Sequence, residues 1–314
     1  MKRLLATAAV AMMTAICAQA QSELVIDSIC TARDDGLRQN KKIYVYNDSK
    51  QNTDIYNYYY FDLKNSSIQL DEPMLTHHTV LSYDERGVLQ KEMQYSYEEK
   101  SEGALVSISE FTEWNEQAQQ YAVITSHRTD ELDDNSELKP RQKLVITKFH
   151  GTVGPEELEL YNMDNNDWKL MGKVVYEYDD ADHSVKETMD MGGAKMVTSY
   201  EYDDHDNVTK STVELVQSVW GAETVTYHNE VTYTNTYYDD GHLRQVVTTE
   251  NGTLRQTDDY YWGQGAKDPT AIKPTTIMNS QLLERVFTLS GSRVNGQPTR
   301  PGIYIVNGKK KVIK

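Results

Sequence analysis

Phenylalanine, proline and cysteine are scarce in this chain: its 314 residues hold 4 Phe, 7 Pro and 2 Cys. One of the two cysteines, Cys17, lies in an apolar leader, so a processed chain keeps only Cys30. That excludes an internal disulfide framework. No HExxH, GxSxG, P-loop or GxGxxG pattern occurs, which removes the common motif-borne routes to metal, acyl-transfer, phosphate and dinucleotide chemistry. Outside the leader no stretch keeps a 3.6-residue apolar period, so amphipathic helices are not expected. Cations are also in deficit: 32 Lys and Arg stand against 48 Asp and Glu, for a formal net charge of −16. The deficit falls in the middle of the chain, because both ends are basic. Such a body repels nucleic acid and anionic membranes, and neither is an expected partner.

What is abundant is tyrosine, with 22 residues in a chain that is 38% hydrophobic. Amphipathic rings at strand positions suit a thin, half-wet sheet better than a thick aliphatic core. The tyrosines recur in a phrase. Val174, Tyr176 and Tyr178 alternate along one strand and run into Asp179-Asp180-Ala181-Asp182. Met196, Thr198, Tyr200 and Tyr202 do the same before Asp203-Asp204-His205-Asp206-Asn207. Period two places each set on one strand face. The following Asp accepts backbone N–H groups as an Asx-turn, after which the chain reverses. Two further copies start at Tyr83-Asp84 and Tyr238-Asp239, where Gly87 and Gly241 supply a positive φ.

The phrase of strand, Tyr-Asp, polar residues, Gly or Asn, and polar strand resembles the YD (Rhs-type) repeat. It is closest to the short, degenerate versions in secreted Bacteroidota proteins of unknown function. In those, stretches like Asn165-Asn166-Asp167-Trp168 alternate with the Tyr-Asp turns. The likeness runs unevenly from Tyr83 to Trp262. Between Glu98 and His150, Glu113-Trp114-Asn115 suggests the alternate type of turn.

Other strands read from alternation and turn residues. They include Leu24–Cys30, Lys42–Tyr46, Ile55–Leu63, Leu75–Tyr83, Leu89–Tyr97, Leu105–Trp114, Gln120–Arg128 and Leu144–Phe149. Glu156–Leu160 reads as strand or helical turn, and the acidic 130–141 stretch as a loop. In 224–238, Tyr227, Val231, Tyr233 and Tyr237 alternate with Thr226, His228, Thr232 and Thr236, the pattern of a half-buried strand. Glu250-Asn251-Gly252 marks a tight hairpin. The sum is an all-β antiparallel meander of hairpins. The favoured form is a long twisted sheet over 21–262, with a sandwich or open barrel as the alternative.

The ends carry addresses. Lys2-Arg3, the apolar Leu4–Cys17 and Ala18-Gln19-Ala20 form a signal peptide over 1–20, with cleavage expected after Ala20. The mature chain offers no transmembrane helix. Residues 263–281 read as a linker. The tail over 282–314 has Phe287-Thr288-Leu289-Ser290-Gly291-Ser292-Arg293-Val294, then Pro301-Gly302-Ile303-Tyr304-Ile305, an Asn307-Gly308 turn and a lysine-rich last strand. It resembles the C-terminal sorting domains read by the type IX secretion system of Bacteroidota. The resemblance implies export across the outer membrane with the secretion machinery as partner; a structural cap is the other reading.

No set of residues points to catalysis, a cofactor or a metal. Cys30 sits in a strand and reads as a small buried residue. His77-His78 are adjacent, so on a strand they face opposite ways and do not chelate one ion. Asp180, Asp182 and Ser184 have a calcium-loop start but Val185 and Met191 stand where that loop needs Gly and Glu. The expected function is an exported, non-enzymatic surface or extracellular module that binds glycan or protein or acts structurally. A glycan hydrolase with a carboxylate pair is the alternative.

Overall fold

The computed structural model describes residues 24–63, 68–97, 103–129, 137–219 and 222–265, and the backbone of four short strands between 286 and 313. The chain divides into two compact units, Met1–Ile272 and Lys273–Lys314. The signal-peptide stretch, most of the 263–281 segment, the 130–136 acids and the Asn307-Gly308 turn lie outside the described residues.

The first unit is one antiparallel meander. Its strands are β1 (Val25–Arg33), β2 (Arg38–Tyr46), β3 (Asn52–Phe61), β4 (Gln69–Tyr83), β5 (Leu89–Ser96), β6 (Ala104–Asn115), β7 (Gln120–Arg128) and β8 (Lys139–His150). They continue with β9 (Gly154–Asp164), β10 (Asp167–Tyr178), β11 (Ser184–Asp190), β12 (Ala194–Tyr202), β13 (Val208–Val219), β14 (Ala222–Tyr237), β15 (Leu243–Glu250) and β16 (Thr253–Gly263). Each strand pairs with the next, and β16 pairs with β1, so the ring closes. Ser28 lies opposite Tyr261 and Ile29 opposite Tyr260 across the seam. The favoured open sheet is therefore corrected to a closed 16-stranded barrel. The physical reason is edge satisfaction. A twisted meander this long curls, and joining its two bare edges pairs backbone groups that would otherwise stand open to other chains.

The second unit is a four-stranded sheet of β17 (Val286–Thr288), β18 (Arg293–Val294), β19 (Gly302–Val306) and β20 (Lys309–Ile313), in the order β18-β17-β19-β20. Both strand pairs expected of the tail are present, joined by β17 on β19.

Turns alternate between two rims. The turns after β2, β4, β6, β8, β10, β12 and β14 share one rim, and four of them are the Tyr-Asp stretches. Their geometry repeats. Asp203 N–H donates to the Asn207 carbonyl and Asp206 N–H to the Asp203 carbonyl; Asp84, Asp179 and Tyr238 occupy the same place in their turns. The fourth residue needs a positive φ. Gly87 and Gly241 provide it as expected, whereas Asp182 and Asp206 adopt it at 66° and 62°. The other rim carries tighter hairpins, with both Asn165 and Asn166, and both Asn251 and Gly252, at positive φ.

Two local expectations change, and one open alternative resolves. Trp114-Asn115 precedes a turn on the Tyr-Asp rim, not the alternate one, because Asn115 Oδ1 accepts the Gln117 and Ala118 N–H groups as the Asp residues do. Glu156–Leu160 is strand, inside β9. Tyr227 is exposed at 53%, because the β13–β14 hairpin runs past its neighbour: β15 pairs β14 only from Val231 onward.

Candidate ligand site on the inner wall

Strand alternation gives the ring two faces, and burial identifies the inner one. Thr79, Ser109, Ser126, Leu158, Val174, Glu187, Met189, Thr198, Ser211 and Val246 are all buried and all lie on the same face by register. The aliphatic part is local: Leu158, Val174 and Met189 pack with Leu144, Ile146, Leu160 and Met196 on β8 to β12. Gly172 sits on this face where a Cβ would run into the Asp190 carbonyl. On β1 and β2 the outward face is covered too, at Ser28, Lys41, Ile43 and Val45. Cys30 lies on that outward face, and burial pushes its thiol up, the wrong direction for a nucleophile.

Elsewhere the inner wall carries tyrosines among polar residues. Burial pushes the phenols of Tyr44, Tyr200 and Tyr260 up to about 12, with smaller contributions from neighbouring Asp258 or Glu187. Tyr176 is raised further for the same reason. These four rings are half-buried.

The outer wall is charged. Lys173 meets Glu159 at 3.0 Å and Lys186 meets Glu177 at 2.7 Å, each pair directly opposite across a strand boundary. Lys210 meets Glu230 at 2.9 Å and Lys91 meets Glu110 at 3.3 Å. Glu159 and Lys173 stand near the centres of β9 and β10. A membrane barrel needs an apolar outer band about 25 Å tall, and a lysine at its midplane costs about 2–4 kcal/mol. This wall does not meet that requirement.

The Tyr-Asp rim is tied together ring to ring. Tyr83, Tyr178 and Tyr202 hydroxyls donate to the carbonyls of Asn52, Pro155 and Ser184, each belonging to the preceding hairpin. Histidines stack on the next aromatic around: His150 on Tyr178, His183 on Tyr202 and His205 on Tyr237, at 4.3, 4.6 and 4.0 Å between ring centres. Arg86 takes the same role over Trp114. Asp203 is the hub of one turn. Its Oδ1 accepts the His205 and Asn207 N–H groups, and its Oδ2 accepts Asn235 Nδ2–H and the Tyr237 hydroxyl. Burial raises this carboxyl, but the four hydrogen bonds outweigh that and hold it below the usual range.

One cavity of about 360 Å³ opens on the inner wall of β2 to β5. It is lined by Asn40, Lys42, Asn57, Tyr59, His77 and Gln94 among others. Register explains the grouping: Lys42 pairs with Asn57 and Asn57 with His77, while Asn40 pairs with Tyr59. Gln94 pairs with Thr79 in the next row, so all face inward across three adjacent rows. Lys42 has no acidic partner among the described residues, and Asn40 Oδ1 is buried without a hydrogen bond. The pocket combines an aromatic surface, carboxamides and one free ammonium, at a volume typical of small-ligand sites.

His77 and His78 do face opposite ways. His77 lines the cavity, while His78 stacks on Tyr56 and bonds Asp54 at 2.8 Å on the outer wall. Asp182 accepts from His150, and the Ser184 carbonyl from Tyr202, so these two members of the calcium-like spacing serve the rim. No group of three His, Cys, Asp or Glu suited to a metal occurs among the described residues. The inward carboxylates include Glu92 and Glu187, both raised by burial, and Asp258, which accepts from Thr31 and Gln256. Sequence reasoning missed the cavity: Asn40 and Lys42 fall before and at the start of a predicted strand, and nothing local marks them.

No family model matches the chain, and no curated protein matches it. Solved structures with some likeness include three from Bacteroides. A porin-like protein from Bacteroides uniformis is 12% identical with a TM-score of 0.45, covering 76% of this chain and 98% of that one. A porin-like protein from Bacteroides vulgatus is 12% identical with a TM-score of 0.32, covering 62% and 95%. A protein of unknown function from Bacteroides fragilis is 11% identical with a TM-score of 0.25, covering 48% and 89%.

Proposed function

We propose that this chain is an exported, non-enzymatic β-barrel that works in water at the cell surface or beyond it as a glycan-binding module. The observation that carries the reading is the contrast between the two walls. Ion pairs cross the middle of several outer strands, while the inside offers a tyrosine-lined pocket with unengaged amides. Aromatic faces stack on sugar rings, and carboxamides match the paired hydroxyls of a pyranose. A lipid-seated pore would need the reverse outer chemistry. The basic leader, the Tyr-Asp repeats and the sorting-like tail support export, and the repeats and tail resemble features of secreted Bacteroidota proteins.

The test has two parts. The secreted chain, expressed without residues 1–20, should stay in solution without detergent and show a sugar ligand on a glycan array. A requirement for detergent, or folded protein that binds nothing on the array, refutes the reading. Deleting residues 282–314 should strand the protein in the periplasm; unchanged export would make the tail a structural cap.

A further inference from the structure

Lys42 is an inward-facing cation in an acid-rich chain. On the outer wall Lys91, Lys173, Lys186 and Lys210 meet carboxylates across the strand boundary, whereas Lys41 and Lys143 have no acid partner among the described residues. Lys42 faces the cavity without an acidic partner among the described residues. The inward acid nearest in register is Asp258, in the row of Thr31, Asn40 and Tyr59, and its oxygens accept from Thr31 Oγ1 and Gln256 Nε2. Beside the ammonium, Asn57 uses its carbonyl to accept from Thr76 Oγ1, and its side-chain amide stays unengaged. Gln94 Oε1 accepts from Ser107, leaving its Nε2 donors. Asn40 Oδ1 is an orphaned acceptor. Tyr59, one register row away, supplies the ring.

From this set we infer that the β2–β5 pocket takes a carboxylated sugar, a uronic-acid unit, with its carboxylate on Lys42. The inference rests on the glycan reading above and narrows it. The free amide and ammonium donors match a carboxylate and ring hydroxyls. The orphaned Asn40 oxygen needs a hydroxyl donor, which a sugar brings and an inorganic anion does not. Tyr59 stacks against the sugar face. Burying an unpaired ammonium against a neutral ligand would forfeit its hydration, so the charge selects the acid. The negative body of the protein opposes long-range approach of a polyanion, so the site suits short or chain-end units.

The experiment titrates the full secreted chain with trigalacturonate and with the neutral galactotriose by calorimetry, at two salt concentrations. The expected result is binding of trigalacturonate at least 10-fold tighter than of galactotriose, weakened by salt. Lys42→Gln should remove that preference while leaving the circular dichroism spectrum unchanged. Tyr59→Ala should weaken both sugars. Equal binding of the two sugars, or trigalacturonate binding untouched by Lys42→Gln, overturns the acidic-sugar inference and leaves the glycan module standing. Binding of neither sugar, together with an empty glycan array, overturns both. A sugar bound equally by wild type and by Lys42→Gln/Tyr59→Ala places the ligand elsewhere and also overturns the inference.

Discussion

Replacing Asp203 tests whether the Tyr-Asp turns hold the barrel or only decorate it. Its carboxylate accepts four hydrogen bonds, two at 3.0 Å from its own turn, one at 2.8 Å from Asn235 and one from the Tyr237 hydroxyl on β14. The local pair is an Asx-turn, comparable to a helix cap at about 1 kcal/mol. Each bond to a charged acceptor is worth about 1.5–3 kcal/mol when fully sheltered. The rim is partly wet, so roughly half of that is expected for the Asn235 and Tyr237 bonds. Asp203→Ala should therefore cost about 3 kcal/mol. Asp203→Asn keeps the local pair, as Asn47 does in its own turn, and should cost about 1 kcal/mol. With a urea slope of about 3 kcal/mol/M, the alanine variant's midpoint falls by about 1 M at unchanged slope. The pH dependence has a fixed sign. A carboxyl held below its unfolded value stabilises the fold above about pH 4 and loses that contribution as pH falls through its folded value. The gap between wild type and Asp203→Asn should thus be full at pH 7 and close below about pH 4. An alanine variant within 0.5 kcal/mol of wild type, on the order of ordinary surface changes, would refute the hub. So would an asparagine variant as unstable as the alanine one.

Three further outcomes are expected. Glu187 is buried, has no hydrogen-bond or ion-pair partner among the described residues, and is raised by burial; a raised carboxyl loses stability as pH climbs through its folded value, so Glu187→Gln should raise the urea midpoint at pH 7 and do nothing below about pH 4. Tyr83→Phe removes the hydroxyl that donates to the Asn52 carbonyl at 2.7 Å, and should cost about 1 kcal/mol in the same unfolding assay, with no loss if water replaces it fully. Gly172→Ala should destabilise by about 2 kcal/mol or more, since its methyl meets the Asp190 carbonyl and the β10–β11 pairing must shift; a thermal midpoint unchanged from wild type would count against that close approach.

Much of the local structure was written in the residues. Period-two tyrosines ending in Asp predicted strand and turn at Tyr83, Tyr178 and Tyr202, because one Asx-turn needs only its own five residues. At the fourth copy the turn starts one residue earlier, with Tyr238 in the place of the Asp and Asp240 accepting from the His242 N–H. The Asn251-Gly252 hairpin was legible for the same reason, as were the opposed histidines at 77 and 78. Turn type was less so: Trp114-Asn115 lacks the Tyr-Asp letters, yet its Asn does the same hydrogen bonding. Closure was not legible at all. Ser28 and Tyr261 pair across nearly the whole chain, and no local pattern distinguishes a strand that ends a sheet from one that meets its far edge. The candidate pocket belongs to the same class. Asn40, Lys42, Asn57, Tyr59, His77 and Gln94 sit on four strands, and each taken alone is an ordinary polar strand residue. Only the register of those strands sets them side by side, and only the curl of the ring turns that side inward. The sequence determined where the chain extends and where it folds back; the tertiary structure decided which face is shielded, because inside and outside exist only once the ring is shut.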